Sequence, residues 1–282
     1  MEYVIEMQNV VKNFDHKEVL KGVNLKVSPG EIFGLLGPSG AGKTTIIKIL
    51  TGQLRCTEGA SRILGKDTGA LSASIYRKMG MMMDNLGLYE RLSCYDNLKL
   101  FAKIYGVRPG RISEVLKQVD LLEAAREPVS KLSKGMRGRL ALARAVMNEP
   151  EILFLDEPTS GLDPQAAAMI HQLIKKQQER GAAIFLTTHN MEEAAKLCDH
   201  IALLNEGKIV EYGAPKEICL RYNHQNRLKI RLLDGRNVML PNGKLSADEV
   251  KEYLAKEMVE TIHSTEPDLE TVFMELTGRG FE

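Results

Sequence analysis

Ile32-Phe33-Gly34-Leu35-Leu36-Gly37-Pro38-Ser39-Gly40-Ala41-Gly42-Lys43-Thr44-Thr45 is the stretch that decides the fold. Ile32–Leu36 is a short apolar strand that follows a Pro29-Gly30 turn. It runs straight into Gly37–Thr44, which fits G-x-x-x-x-G-K-[ST], the pattern of a phosphate-binding loop. Glycines at Gly37, Gly40 and Gly42 let the backbone of Gly37, Pro38, Ser39, Gly40, Ala41, Gly42, Lys43, Thr44 and Thr45 curl, so that its N–H groups (Pro38 has none) can point inward at an anion. The helix that follows adds its positive N-terminal end. Lys43 supplies a point charge for the outer phosphates of a nucleotide, and the Thr44 hydroxyl can hold Mg²⁺. Ile46, Ile49 and Leu50 give that helix one apolar face, and Gly52 stops it.

Upstream, Val23, Leu25 and Val27 alternate with Gly22, Asn24 and Lys26, which predicts a half-buried strand within a strand-rich first 30 residues. Downstream, Ile152–Leu155 and Ala182–Leu186 have the length and apolar character of buried parallel strands, and Ile201–Leu204 is a third. Between them, Asp163-Pro164 predicts a helix start, with an N-cap aspartate and proline at the first helical position. Ala166, Ile170, Leu173 and Ile174 form its apolar face, and Gly181 ends it. Strands alternating with helices in this way mean a largely parallel sheet.

Acids at the carboxyl ends of such strands face the ligand crevice. Asp156-Glu157 ends one strand. Asp156 is expected to hold Mg²⁺ through water, and Glu157 to polarise the attacking water, as a general base or as an orienter. His189 follows Thr187-Thr188 beyond the next strand. A neutral imidazole there can hydrogen-bond a γ-phosphate or the attacking water.

Composition narrows the class. Apolar residues are 44% and charged residues 27% of 282, which are globular proportions. Lys plus Arg is 38 against 37 for Asp plus Glu, so bulk charge gives no reason to expect nucleic acid as a partner. No apolar run exceeds five residues, whereas a membrane span needs roughly 20. The start, MEYVIEMQNV, has no basic region and no apolar stretch of a secretory leader. Cys56, Cys94, Cys198 and Cys219 form no CxxC pair, as expected of reduced thiols in the cytoplasm.

Five short motifs in a fixed order carry a resemblance over about residues 3–215. They are the phosphate loop, Leu132-Ser133-Lys134-Gly135-Met136, Leu155-Asp156-Glu157-Pro158, Ser160-Gly161-Leu162-Asp163, and Thr188-His189. The chain resembles the nucleotide-binding subunit of ABC transporters. The resemblance implies that Phe14 stacks on adenine. It implies that Ser133 and Gly135 reach the γ-phosphate of an ATP held by the opposite subunit, two subunits closing head to tail over two ATP molecules. Asp163 then lies in a loop that communicates across that interface. The resemblance further implies a transmembrane permease partner, docked on the helical insert near Asp84–Tyr105.

There are departures from the family pattern. Lys134 and Met136 replace a glycine and the glutamine of LSGGQ, and this LSKGM form is similar to the branch that works with drug and peptide exporters. Glu266–Phe273 is similar to that branch's C-terminal segment. Gly138 sits inside the helix that the signature opens, where glycine costs roughly 1 kcal/mol relative to alanine. Asp84 takes the place where the family carries a glutamine beside Mg²⁺. Two unit charges about 5 Å apart at an effective dielectric of about 20 repel by roughly 3 kcal/mol, so Asp84 near a γ-phosphate is expected to act as an outer-sphere Mg²⁺ ligand.

The expected architecture is α/β: a P-loop NTPase core with an N-terminal antiparallel β-subdomain, a helical insert and a small C-terminal α+β appendage. Residues 1–218 form the ATPase domain, with the helical part at about 85–149, and 219–282 the appendage. In the appendage, Leu228, Ile230 and Leu232 alternate with charged residues, and turns are expected at Asp234-Gly235 and Asn242-Gly243. Leu269, Val272, Phe273 and Leu276 mark a last helix that ends at Gly278. The expected activity is Mg²⁺-dependent ATP hydrolysis at a homodimer interface that powers export through a separate permease. The subunit is expected to be cytoplasmic and held at the inner face of the membrane by that permease. The rivals are a soluble ABC-type ATPase in a non-transport process and a P-loop kinase acting on a small molecule.

Overall fold

Residues 2–15, 17–83, 87–108 and 110–278 are described in the computed structural model of the chain. The chain divides into two units, Met1–Ala214 and Pro215–Phe281. In the first, Ile32–Leu36 lies inside a six-stranded sheet whose order is Lys208–Gly213, His200–Asn205, Ile32–Leu36, Ala183–Thr188, Ile152–Asp156 and Met79–Met82. All neighbours pair in parallel except Lys208–Gly213, which returns antiparallel on His200–Asn205. Every residue of Ile32–Leu36, Ile152–Asp156 and Ala183–Thr188 is buried. That explains the unbroken apolar runs, since parallel strands are covered on both faces. Phe185 stacks on Phe33 at a centroid distance of 5.4 Å and packs tilted against Phe154 at 5.7 Å, so the three rings meet across the three strands.

A second sheet is antiparallel, ordered Lys17–Val27, Ile5–Phe14, Glu58–Ile63 and Lys66–Asp67. Its buried face (Ile5, Met7, Val10, Leu20, Val23, Leu25, Val27 and Ile63) joins one core with Ile46, Ile47, Ile49 and Leu50 of the helix Lys43–Leu50 and with Phe33 and Leu35. The helix is thus sandwiched between the sheets, and its position follows from that shared apolar burial.

Helices Cys94–Tyr105, Gly110–Gln118 and Lys134–Ala145 form the helical insert. Helix Pro164–Glu179 begins as expected: Asp163 Oδ1 accepts from the Ala166 N–H at 2.9 Å, with proline at its first turn. The strand expected at Ala182–Leu186 runs instead from Ala183 to Thr188. Two polar residues can extend a buried strand because both hydroxyls find acceptors, Thr187 on Asp156 and Thr188 on Glu193.

In the second unit, Asn237–Pro241, Arg227–Leu232 and Val259–Ser264 form an antiparallel sheet in that order. Ile230, Leu232 and Leu240 are its buried core, packed with Val250, Tyr253 and Met258. Gly235 makes the first expected turn at φ +86°. The chain bends at Asn242-Gly243 and continues into a 3₁₀ turn, Lys244–Ser246. The last helix, Leu269–Thr277, buries Leu269, Val272 and Phe273 and closes on Gly278.

Candidate active site

The carboxyl ends of three neighbouring strands converge. Ile32–Leu36 leads into the phosphate loop, Ile152–Asp156 into Glu157, and Ala183–Thr188 into His189. A cavity of about 290 Å³ opens there, lined by Val19, Pro38, Ser39, Gly40, Gly42, Lys43, Thr44, Thr45, Asp156 and Glu157. The loop needs its glycines for two separate reasons. Gly42 stands at φ +116° as the helix N-cap, a conformation that side chains disfavour. A side chain at Gly37 would put its Cβ 2.4 Å from the Leu204 carbonyl oxygen. Ala41 is buried beneath the loop, so Gly37 and Ala41 shape the cradle from behind while their neighbours face it.

Lys43 donates to the carbonyl of Gly37 and, at 3.3 Å, to that of Pro38. Burial lowers its pKa, and the charges of Glu157 and Asp156 oppose that. Asp156 is buried at the strand end, where Thr187 Oγ1 donates to it. Glu157 bonds His189 Nδ1 through Oε2 at 2.7 Å. Its backbone stands at φ +50°, in the left-handed region rarely used by residues with a side chain, and its N–H donates to Thr187 O at 2.9 Å. Burial pushes the Glu157 carboxyl above its ordinary value, against the pull of His189 and Lys43. A carboxylate that is partly desolvated, oriented by an imidazole and set beside a phosphate cradle is equipped to hold a water for attack.

The structure does not bring every expected residue to this cavity. Phe14, 43% exposed, ends the strand Ile5–Phe14 with Lys12 Nζ 4.9 Å above its ring, and it is not among the lining residues. Ser133 caps helix Lys134–Ala145, accepting from the Met136 N–H at 3.2 Å, and is exposed. Gly135 packs against helix Pro164–Glu179 so tightly that a Cβ there would lie 2.9 Å from Ala166 Cβ. Asp163 is occupied as a helix cap. Asp84 lies outside the described residues. Lys134, which departs from the family signature, extends over Gly161, where a Cβ would meet its Nζ. It lines a cavity of about 90 Å³ together with Asp156, Glu157 and Ser160.

Sequence reasoning missed Val19, Thr159, Thr187 and Glu193. Val19 carries only strand alternation in Glu18-Val19-Leu20 as a signal. Glu193 sits on helix Met191–Leu197, where a glutamate reads as an ordinary surface acid, yet it is 4% exposed.

The parallel sheet, the glycine-rich loop at its centre and the acids at the neighbouring strand ends define a P-loop nucleotide-binding protein. The ABC transporter family matches over residues 20–160. The fluoroquinolones export ATP-binding protein of Mycobacterium tuberculosis (strain ATCC 25618 / H37Rv) is 40% identical over 267 residues, spanning 92% of this chain and 88% of its own. Linearmycin resistance ATP-binding protein LnrL of Bacillus subtilis (strain 168) is 35% identical over 222 residues, spanning 77% and 71%. A solved dimeric ATP-binding cassette, bound to ADP and Pi in a post-hydrolysis state, matches with a TM-score of 0.67 at 30% identity, covering 74% of this chain and 98% of that one. The chain belongs to the ABC transporter family and is an ATP-binding subunit, an ATPase of the kind that works with a membrane subunit. That excludes the kinase reading.

Proposed function

We propose that this chain hydrolyses ATP with Mg²⁺ at the interface of two identical copies and drives export through a separate permease, which holds it at the inner face of the membrane. The 2.7 Å pair between Glu157 and His189, at the mouth of the phosphate-loop cavity, carries this reading. Backbone N–H groups of the loop and the Lys43 ammonium hold the phosphates. Lys43 trades its bonds to the Gly37 and Pro38 carbonyls for phosphate oxygens. Glu157 receives or orients the proton of the attacking water, and His189 fixes the carboxylate. Thr44, and Asp156 through water, would hold Mg²⁺. Among the described residues no group of three or more His, Cys, Asp or Glu stands ready to hold an ion alone. That suits Mg²⁺, which takes one or two protein oxygens, phosphate oxygens and water. When bound, it neutralises charge on the transferring phosphoryl group.

Ser133 and Gly135 are assigned to the ATP of the opposite copy, and Asp163 to the loop that communicates across the interface, consistent with their positions away from this chain's own cavity. Phe14 is assigned to the adenine. Export is supported by the names of the relatives, which include fluoroquinolone export and linearmycin resistance proteins. Among the described residues no helix is long and apolar enough to cross a membrane; the translocation path is assigned to the separate permease. Phosphate release and nucleotide binding test the core of the reading. Lys43→Ala is expected to lose turnover and weaken ATP binding. Glu157→Gln is expected to bind ATP normally and to slow by about 10²-fold or more. Wild-type phosphate release from Glu157→Gln would remove the catalytic role from this residue.

A further inference from the structure

The Glu157–His189 pair spans two chain segments, and both are tied to one buried carboxylate that hydrogen-bonds neither member of the pair. Glu193 is 4% exposed. Its Oε1 accepts from Thr159 Oγ1 at 2.5 Å, two residues beyond Glu157. Its Oε2 accepts from Thr188 Oγ1 at 2.8 Å, the residue before His189. The two oxygens therefore divide between the two segments. Oε1 also accepts from His171 Nε2 at 2.8 Å, which adds helix Pro164–Glu179 to the same anchor. Thr188 Oγ1 in turn accepts from the Asn190 N–H at 3.0 Å, and Asn190 Oδ1 accepts from the N–H of Glu193 itself at 2.9 Å. His189 is thus bracketed by residues that Glu193 restrains.

We infer that Glu193 is a positioning residue for ATP hydrolysis, whose carboxylate holds the Glu157 and His189 segments in register through Thr159 and Thr188. A buried carboxylate survives only when its lone pairs are filled. Here burial favours the neutral acid, but the hydrogen bonds from His171, Thr159 and Thr188 outweigh it and hold the carboxyl below its ordinary range. Each bond to an ionised acceptor is stronger than a neutral one, so the anchor resists small displacements. The pair it serves depends on such registry, because a base displaced by about 1 Å can cost 10²-fold in rate. Thr159 directly precedes Ser160–Asp163, so the same carboxylate restrains the start of the loop assigned to communication across the interface. Glu193 does not line the phosphate-loop cavity, and its contribution belongs to turnover rather than to nucleotide affinity.

This inference rests on the catalytic reading of Glu157 and His189. Phosphate release by the full chain, with ATP and Mg²⁺, gives kcat and KM for the variants. Thr159→Val and Thr188→Val keep shape and remove one donor each. Each is expected to lower kcat by about three- to tenfold with KM for ATP within about twofold. Glu193→Ala is expected to lower kcat by at least about tenfold with the same small change in KM, and Glu193→Gln, which keeps one acceptor oxygen, to recover part of that loss. Combining Thr188→Val with Glu193→Gln is expected to cost less than the sum of the two, because both break one connection. If Glu193→Ala does not fold, the threonine and glutamine variants carry the test. Wild-type kcat in both threonine variants, additive losses, or losses confined to KM would overturn the anchor. Glu157→Gln is run alongside: if it retains turnover the catalytic reading fails, and if it loses turnover while the threonine variants keep theirs, only the anchor fails.

Discussion

Glu157 combines two properties that oppose easy folding and favour chemistry. Its backbone occupies the left-handed region at φ +50°, and burial raises its carboxyl pKa. Both have testable consequences. The form that accepts or orients a proton is the carboxylate, so turnover is expected to fall as pH drops through a value above the usual glutamate range. A pH–rate profile checks this, and an acid limb at or below the ordinary value would contradict it. The stability consequence has the opposite sense. A carboxyl with a raised native pKa favours the folded state most below its unfolded pKa, and that contribution is lost as pH rises through the native pKa. Glu157→Gln, which has no charge to bury, is therefore expected to melt above the wild type at neutral pH. Lys43, Thr44 and Asp156 were legible in the sequence because spacing along one loop and one strand end encodes them. Glu193 was not, because only Thr188 lies near it in sequence, and Thr159 and His171 meet it only after helices and strands have packed.

Helix Lys134–Ala145 carries a glycine that its fold does not require. Gly138 is buried in the helix interior, and a Cβ there would make only an ordinary 3.9 Å contact with Leu162 Cδ1. Gly138→Ala is expected to stabilise the chain by about 1 kcal/mol, since alanine loses less backbone freedom on folding. Thermal unfolding should show a rise of about 2–4 °C, and a fall would mean that Leu162 needs the space. Apolar runs and caps predicted elements well: Asp163-Pro164 opens its helix where expected, and Gly278 closes the last one. Strand ends were harder to read. Ala183–Thr188 outruns its apolar stretch because Asp156, from the neighbouring strand, and Glu193, from the helix that follows, satisfy its two threonines. Sheet order is non-local, with Ile32–Leu36 pairing to Ala183–Thr188 and His200–Asn205.

The first unit of the chain contains one phosphate cradle and, apart from it, a signature helix whose start is exposed, an arrangement compatible with the proposed pairing of two copies. It also presents Leu100 and Ile104, 41% and 66% exposed and four residues apart on one face of helix Cys94–Tyr105, with Tyr89 nearby in sequence at 56%. Crosslinking in membranes is expected to join a permease to the 87–105 region; crosslinks confined to the second unit would redirect the docking proposal. The change of pattern after about residue 220 led to an expected boundary at 218/219, while the two compact units of the structure divide at Ala214/Pro215, where the strand Lys208–Gly213 gives way to the helix Pro215–Arg221. The central claim is that ATP bound in the phosphate loop is completed by a second copy before it is cleaved. Light scattering of the Glu157→Gln chain, with and without ATP and Mg²⁺, tests it directly. The account predicts a mass of 31.4 kDa without nucleotide and twice that with it, at one ATP per copy. A chain that binds one ATP per copy yet stays at 31.4 kDa under these conditions would contradict it.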